Sequence, residues 1–400
     1  VTTAPDASSA ERVVVVGAGP VGLTAALVLA RRGVPVTVLE AGTELAAESR
    51  ASTFHPPTLE MLASLGVVDA LLARGLVADS FQFRDRDTGP VATLDLSLLA
   101  GDTDFPYRLQ CEQNKLTPLL LEALGRHCGA EVRFGSRVAG VERTSRGIHA
   151  VLGDRSRVRG AWLVGADGAH SAVRQSVGAE FHGMTYPERF LVASLDEDPG
   201  AVLDDLAPIA YVLDPDEWMV LLRTPDHWRV LLPTPDGTSD EAELLRLPRR
   251  LLDITRDVRG PAIAHASLYR VHQRVAGTFR SGRVLLCGDA AHVNNPLGGM
   301  GMNSGIHDAV LMGRALADLL TGEGSEEDLT DCAEERRACA LGYVGAETHA
   351  NWERLRTRDP VERAALLAEL RSTAADPVAA RRSLLRSSMI DSLRAGRWSR

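Results

Sequence analysis

The sequence predicts an α/β fold: a doubly wound, Rossmann-type parallel-sheet domain interleaved with an antiparallel β-sheet domain and followed by a helical C-terminal segment. Three observations carry this reading. The β-branched run Val13–Val16 breaks at Gly17, passes through an Ala/Leu-rich stretch and returns to an apolar run that ends at Glu40, the order of a βαβ unit. Residues 181–275 hold Trp218, Trp228, Tyr186, Tyr211 and Tyr269 among short Pro-bounded strands such as AYVLDP and WRVLLPTP. Residues 283–292 (RVLLCGDAAH) then resume a buried-strand pattern ahead of a long apolar helix.

Taken in order, a helix is expected at 20–31 and helical apolar spacing continues over 56–75, closing at Gly75. Residues 80–96 alternate polar and apolar about a turn at Thr88–Pro90. A helix at 114–128, a strand at 130–135 and a β-meander over 137–163 follow, the last turning at Gly153–Asp154. The antiparallel region includes one acidic helix near 239–253, and the long helix is placed at 302–320. The expected domains are 12–79, 103–180 and 276–325 for the parallel-sheet unit, 80–102 with 181–275 for the antiparallel unit, and 326–400 for the helical end. A chain of 400 residues exceeds what one core usually organises.

Composition narrows the function. A net charge of −9 argues against a nucleic-acid surface. Lys115 is the only lysine, which we read as codon bias. Cys111, Cys128, Cys287, Cys332 and Cys339 are scattered without C-x-x-C, so neither zinc ligation nor a disulfide framework is expected, and a reducing cytoplasm is. Residues 1–11 read as a loose tail without a signal-peptide pattern, and no stretch reaches the roughly 18 apolar residues of a membrane span.

Four constellations carry chemistry. Gly17, Gly19 and Gly22 form G-x-G-x-x-G, with Pro20 and Val21 opening the helix. The first glycine permits the tight turn, the second lets the backbone approach a pyrophosphate, and the third allows close helix–strand packing. The helix N-terminus favours the phosphates, and Glu40 is placed to accept from ribose hydroxyls. The second constellation is Gly165-Ala166-Asp167-Gly168, with Ser171 and Arg174 on a new helix. The third runs from Gly288-Asp289-Ala290-Ala291-His292 to Pro296-Leu297-Gly298-Gly299-Met300-Gly301-Met302-Asn303. Its acid stands at a strand's C-terminal end, where open α/β sheets bind ligands, and the N–H groups at 301–303 can stabilise negative charge. Arg50 and Gln113 are the fourth.

In kind, order and spacing these motifs resemble the class A flavoprotein monooxygenases, the para-hydroxybenzoate hydroxylase-like family, over about residues 12–320. The resemblance implies a Rossmann-type FAD-binding domain of the GR2-like kind and non-covalent FAD. Gly17, Gly19, Gly22 and Glu40 would hold its ADP half, and Arg50 and Gln113 its pyrophosphate and ribityl region. Asp167 would serve FAD and NAD(P)H, Gly288 and Asp289 the ribityl chain, and Pro296 with Gly299, Gly301, Met302 and Asn303 would border the flavin ring and the oxygen site. It further implies reduction by NADH or NADPH, which would bind transiently because no second G-x-G-x-x-G exists, and attack of a flavin C4a-hydroperoxide on a small phenolic or heteroaromatic ring. Asn294-Asn295 departs from the proline-rich pattern common beside the flavin, and the residues after 330 are too few for a thioredoxin-like third domain.

The residues leave the base unassigned among His55, His227, His272, Tyr211 and Tyr269. His292 and Arg274 read as scaffold. Tyr211, Trp218, His227 and Asn295 are the candidate substrate contacts; Trp218, Trp228 and Met302 could line a hydrophobic site, though core packing is the favoured role for the two tryptophans. Competing readings are a halogenase or an isoprenoid-directed flavin reductase on the same scaffold, and a flavin-binding protein without turnover. The W-x-W-x-I-P segment usual in related halogenases is absent. Oligomeric state is left open.

Overall fold

The computed structural model describes residues 12–47, 51–145, 147–254, 262–394 and 396–397. Arg50 and the tail at 1–11 lie outside the described residues. The first sheet has six strands, in the order Arg280–Ser281, Val284–Leu286, Trp162–Gly165, Val13–Val16, Val36–Leu39 and Ala130–Arg133. All neighbours are parallel except the edge hairpin at 280–286. Its inner strands are apolar apart from Thr37 and buried on both faces, as parallel sheets require. The helices Pro20–Arg31 and Met300–Thr321 pack together, with Gly305 against Val21 and Gly313 against Val28.

The second sheet has eight strands: His292–Val293, Ile263–Ala276, Phe181–Leu195, Trp228–Pro235, Met219–Arg223, Ile209–Leu213, Ser80–Asp85 and Gly89–Asp95. Only Ile209–Leu213 against Ser80–Asp85 is parallel. One face carries Leu191, Leu221 and Leu232 and is covered by Leu247 and Leu251 of the acidic helix region. The other carries Phe81, Phe190 and Trp218 and is covered by Trp352, Leu355, Ala380 and Leu384 of the C-terminal helices. A small third sheet joins Thr53–Phe54, Arg108–Gln110 and Leu76–Ala78.

Several elements differ from the sequence reading. The meander at 137–163 is three strands, Val138–Thr144, Gly147–Leu152 and Arg157–Gly160. Trp162–Gly165 instead enters the parallel sheet, because all four residues are apolar or Gly and can be buried on both faces. The helical stretch at 56–75 divides into Pro56–Ser64 and Val68–Leu72 at Gly66, whose φ of +75° ends the first helix. The strand at 283–292 is only Val284–Leu286, since Gly288 turns the chain into one 3₁₀ turn. The long helix begins at Met300, the helix expected at 114–128 spans Gln113–Leu124, and the acidic helix is Asp240–Arg250.

Candidate active site

At the first glycine motif Gly17 adopts φ +103°, and a Cβ on it would stand 2.4 Å from the Ala166 carbonyl oxygen. A Cβ on Gly22 would stand 2.0 Å from the Gly17 oxygen, so helix and turn touch backbone to backbone. Gly19, by contrast, faces open space. The helix it opens, with Pro20 in its first turn, has no side-chain cap and no acidic residue in that turn. Its first N–H groups therefore have no side-chain acceptor, the arrangement in which a helix end can receive an anion. Glu40 ends the second strand and accepts from the Ala18 N–H at 2.6 Å and the Gly42 N–H at 2.8 Å. Its carboxylate therefore fixes the glycine turn itself, a role the sequence did not disclose.

Ser171 caps the short helix Ala172–Ser176, accepting from the Arg174 N–H at 2.9 Å, and Asp167 braces that cap: its oxygens accept from the Ser171 hydroxyl at 2.5 Å and the Val173 N–H at 3.1 Å. Arg174 is buried, donates to the Ala290 and Ala169 carbonyls at 3.0 and 2.8 Å, and lies 3.8 Å from the centre of the Phe181 ring. It ties the second motif to the third. Gln113 exchanges contacts with Ala51, its N–H donating to the Ala51 oxygen at 2.9 Å.

In the third motif Gly288 turns at φ +58° beside Val21, and Asp289 is exposed on the 3₁₀ turn. His292 Nε2 lies 2.8 Å from Asp308, which also accepts from the Gly288 N–H and, at 2.8 Å, from Arg336. All three side chains are buried. Burial pushes the Asp308 carboxyl up, but its contacts with His292 and the Arg336 guanidinium hold it below its usual range. His292 is thus part of the scaffold, as read; Asp308 and Arg336 were missed, because nothing local in the sequence marks the pairing of residues 28 apart on two helices.

The turn Pro296–Gly299 leads into the long helix through Gly298 and Gly299, at φ +105° and +67°, and that helix also lacks a side-chain cap. Asn303 is fully buried; it donates to the Thr53 and Gly299 carbonyls and accepts from the His55 N–H at 2.9 Å. Asn295 donates to the Tyr186 hydroxyl and the Thr348 carbonyl and accepts from the Leu297 N–H, so it anchors the turn from behind. Gly301 and Met302 lie in the helix's first turn, partly buried.

Against Pro296–Gly299 lies an enclosed pocket of ≈ 30 Å³, walled by Ile209, Val220, Leu222 and Leu231 with Thr53, Arg108 and Tyr211 as its polar residues. Tyr211 is the one expected substrate contact that lines it. Trp218 is buried with its ring edge-on to Phe190, and His227 sits 3.0 Å from Asp196. Neither reaches the pocket, and Asn295 supports it without lining it. Among the other base candidates, His55 Nε2 donates to the wall at the Gly298 carbonyl oxygen, 2.9 Å away, and its buried Nδ1 has no partner among the described residues. Burial and the nearby Arg108 cation hold its pKa well below the ordinary value. His272 bonds Thr185, and Tyr269 is partly exposed beside Phe190. A second cavity of ≈ 330 Å³ lies behind Asn294, lined by His182, Gln273, Arg274 and His292 with apolar Met184, Leu341 and Val344. No helix among the described residues is long and apolar enough to cross a membrane.

The sequence profile of the FAD binding domain family matches residues 11–346. Para-nitrophenol 4-monooxygenase of Pseudomonas sp. strain WBC-3 is 33% identical over 359 residues, 88% of this chain and 89% of that one. The 6-hydroxy-3-succinoylpyridine 3-monooxygenase HspB of Pseudomonas putida strain S16 is 35% identical over 381 residues, 89% and 91% of the two chains. The crystal structure of p-nitrophenol 4-monooxygenase PnpA from Pseudomonas putida DLL-E4 superposes with a TM-score of 0.89 at 31% identity, covering 94% of this chain and 97% of that one. Fold and motifs therefore define a flavin-dependent oxidoreductase. The chain belongs to the FAD-binding class A aromatic monooxygenases, with FAD as cofactor and NAD(P)H as co-substrate.

Proposed function

We propose that this enzyme hydroxylates a single-ring phenolic or hydroxylated heteroaromatic compound in the cytoplasm, using FAD, NAD(P)H and O₂. The observation that carries the reading is the enclosed pocket, largely apolar with Arg108 and Tyr211, set against the Pro296–Gly299 turn. A void of ≈ 30 Å³ must widen even for one ring, because a cavity that accepts benzene is about 150 Å³. Fused polycycles would demand far more. Both relatives' names specify single-ring substrates.

The residues fit FAD on physical grounds: open space over Gly19, an uncapped helix end behind it, and an exposed acid, Asp289, near a second uncapped helix end. Gly17, Gly19, Pro20, Val21 and Gly22 would hold the pyrophosphate region, with Glu40 and Gln113 beside it. Gly288 and Asp289 would hold the ribityl chain, and Pro296, Gly299, Gly301, Met302 and Asn303 would border the ring. Asp167 acts through the helix start it braces. When bound, FAD supplies oxygen activation and transfer. The chain's own part is to seat the ring beside Pro296–Gly299, exclude water with Ile209, Leu222 and Leu231, and present N–H groups of the long helix to developing negative charge. The larger cavity beside His182 and Arg274 is where we place transient NAD(P)H docking.

Two measurements test this. NAD(P)H oxidation by the holoenzyme should rise on adding 4-nitrophenol and yield hydroxylated product; no rise with any single-ring phenol or hydroxypyridine would refute the reading. Asp289→Ala should emerge without FAD yet folded, because the side chain is exposed. Unchanged flavin stoichiometry would remove Asp289 from the cofactor site.

A further inference from the structure

Lys115 is the chain's only lysine and stands on the helix Gln113–Leu124. Its Nζ lies 2.9 Å from a Glu112 oxygen and 2.7 Å from an Asp226 oxygen. An ammonium is a compact point charge with three donors, suited to a seat between two carboxylates. Glu112 immediately precedes the helix and is buried. Burial pushes its carboxyl up, but the Thr224 hydroxyl and the Lys115 ammonium hold it below its usual range. Thr224 and Asp226 belong to the turn between the antiparallel strands Met219–Arg223 and Trp228–Pro235. That turn is closed by the Thr224 N–H, which donates to the His227 carbonyl at 2.8 Å. One ammonium thus joins the start of a helix packed on the parallel-sheet cluster to the tip of a hairpin in the eight-stranded sheet.

Both ends of this bridge lead to the enclosed pocket. The residues on either side of Glu112 hold the segment 51–53 through the backbone: the Cys111 N–H donates to the Ser52 carbonyl at 2.8 Å and the Gln113 N–H to the Ala51 carbonyl at 2.9 Å. Thr53, next along, lines the pocket. At the other end the hairpin strands supply Val220, Leu222 and Leu231 to the same pocket. Arg229, opposite Leu222 in the hairpin, faces Tyr269 and Glu112. A void of ≈ 30 Å³ must widen for one ring, so walls built on two separate sheets must part. We propose that Lys115 is a positioning residue whose ion pairs clasp these two walls together. The clasp sets how fast an aromatic ring enters and leaves, and how much water reaches the pocket during oxygen transfer. This rests on the hydroxylase reading. Stability does not account for the pair: the Asp226 side chain is 60% exposed, and ion pairs so exposed add little to a fold.

The test compares wild-type holoenzyme with Lys115→Met, Lys115→Arg, Asp226→Asn and the double variant of Lys115→Met with Asp226→Asn. Asp226 is exposed enough for its variant to fold, so the proposal does not hang on Lys115→Met alone. Hydrogen exchange of the ligand-free holoenzyme reads the walls directly. In Lys115→Met and Asp226→Asn the amides of residues 51–54 and 223–228 should exchange faster than in the wild type, while those of Val13–Val16 should not change. Stopped-flow perturbation of the flavin spectrum reads the ring. From either single variant 4-nitrophenol should dissociate about 2- to 5-fold faster, the factor that one partly exposed ion pair allows. The double variant should match Lys115→Met, because the same contact is already lost, and Lys115→Arg should recover part of the effect. Product formed per NAD(P)H consumed should fall in step, with hydrogen peroxide making up the difference. Unchanged exchange, loosening of the hairpin alone, an unchanged off-rate, or additive effects in the double variant each overturn the proposal. If 4-nitrophenol does not perturb the flavin, exchange alone decides. If both walls loosen but no aromatic stimulates NAD(P)H oxidation, the hydroxylase reading fails and the clasp stands. Stimulation with unchanged exchange gives the reverse.

Discussion

Two buried histidines near the pocket set a pH limit on stability. His307 contacts the Thr58 hydroxyl at 2.9 Å, and burial with the nearby Arg336 cation lowers its pKa to about 3. His55 is shifted in the same direction. A histidine held neutral in the folded state takes up protons more readily when unfolded. Its contribution to stability is therefore complete above about pH 6.5 and declines as pH falls toward the folded value. For His307 alone the loss reaches about 2 kcal/mol at pH 5, with His55 adding in the same sense. Urea denaturation at about pH 7 and pH 5 should show it, and His307→Gln should flatten the pH dependence by about that amount. A profile unchanged by this substitution would mean the imidazole is accessible to protons in the native state. None of this was legible in the sequence, where His307 is one more residue in an apolar helix and His55 one of five unranked bases.

At the scale of elements, what the sequence disclosed is local. The first βαβ unit, the strand into Gly165-Ala166-Asp167-Gly168 and the long helix each carry their signal within about 20 residues, so their positions could be read within a few residues. Sheet membership could not. Trp162–Gly165 reads as the next strand of a meander, yet it pairs with Val13–Val16, about 150 residues away. The clamp of Asn303 on Thr53, the support of Asn295 by Thr348 and the covering of the pocket sheet by C-terminal helices are likewise non-local. The two later glycines of the first motif make a paired experiment. Gly19 sits at φ −71° and its absent Cβ points into open space, so Gly19→Ala should leave the apoprotein's stability within about 0.5 kcal/mol while weakening FAD binding. A Cβ at Gly22 would strike the Gly17 oxygen, so Gly22→Ala should lower stability and FAD binding together. Chemical denaturation of apoprotein and flavin titration separate the two effects. Full FAD affinity in Gly19→Ala would show that no phosphate passes close to that turn.

Across the whole molecule the hydrophobic interior is divided, and the division assigns separate tasks. One cluster surrounds the parallel sheet and the helices Pro20–Arg31 and Met300–Thr321. A second lies between the eight-stranded sheet and the C-terminal helices, where Ala380, Leu384 and Leu385 meet Phe81, Leu96 and Leu99. The proposed substrate pocket is at the edge of the second, and the last helices reach it through the Ser387 carbonyl on Arg108. The Asp308–Arg336 pair lies earlier in the chain and belongs with the first cluster. Ending the chain after Ala375 should thus strip the pocket face while sparing the glycine motifs and the buried ion pair. Loss of Leu384 alone removes a fully buried leucine, a change that costs about 2–5 kcal/mol when the site is truncated to Ala. The shortened protein should retain a flavin spectrum at near-stoichiometric occupancy, bind a hydrophobic dye at the uncovered sheet, and lose the spectral response to 4-nitrophenol. If FAD is lost as well, the two clusters fold as one cooperative unit, and the C-terminal helices support the cofactor as much as the substrate.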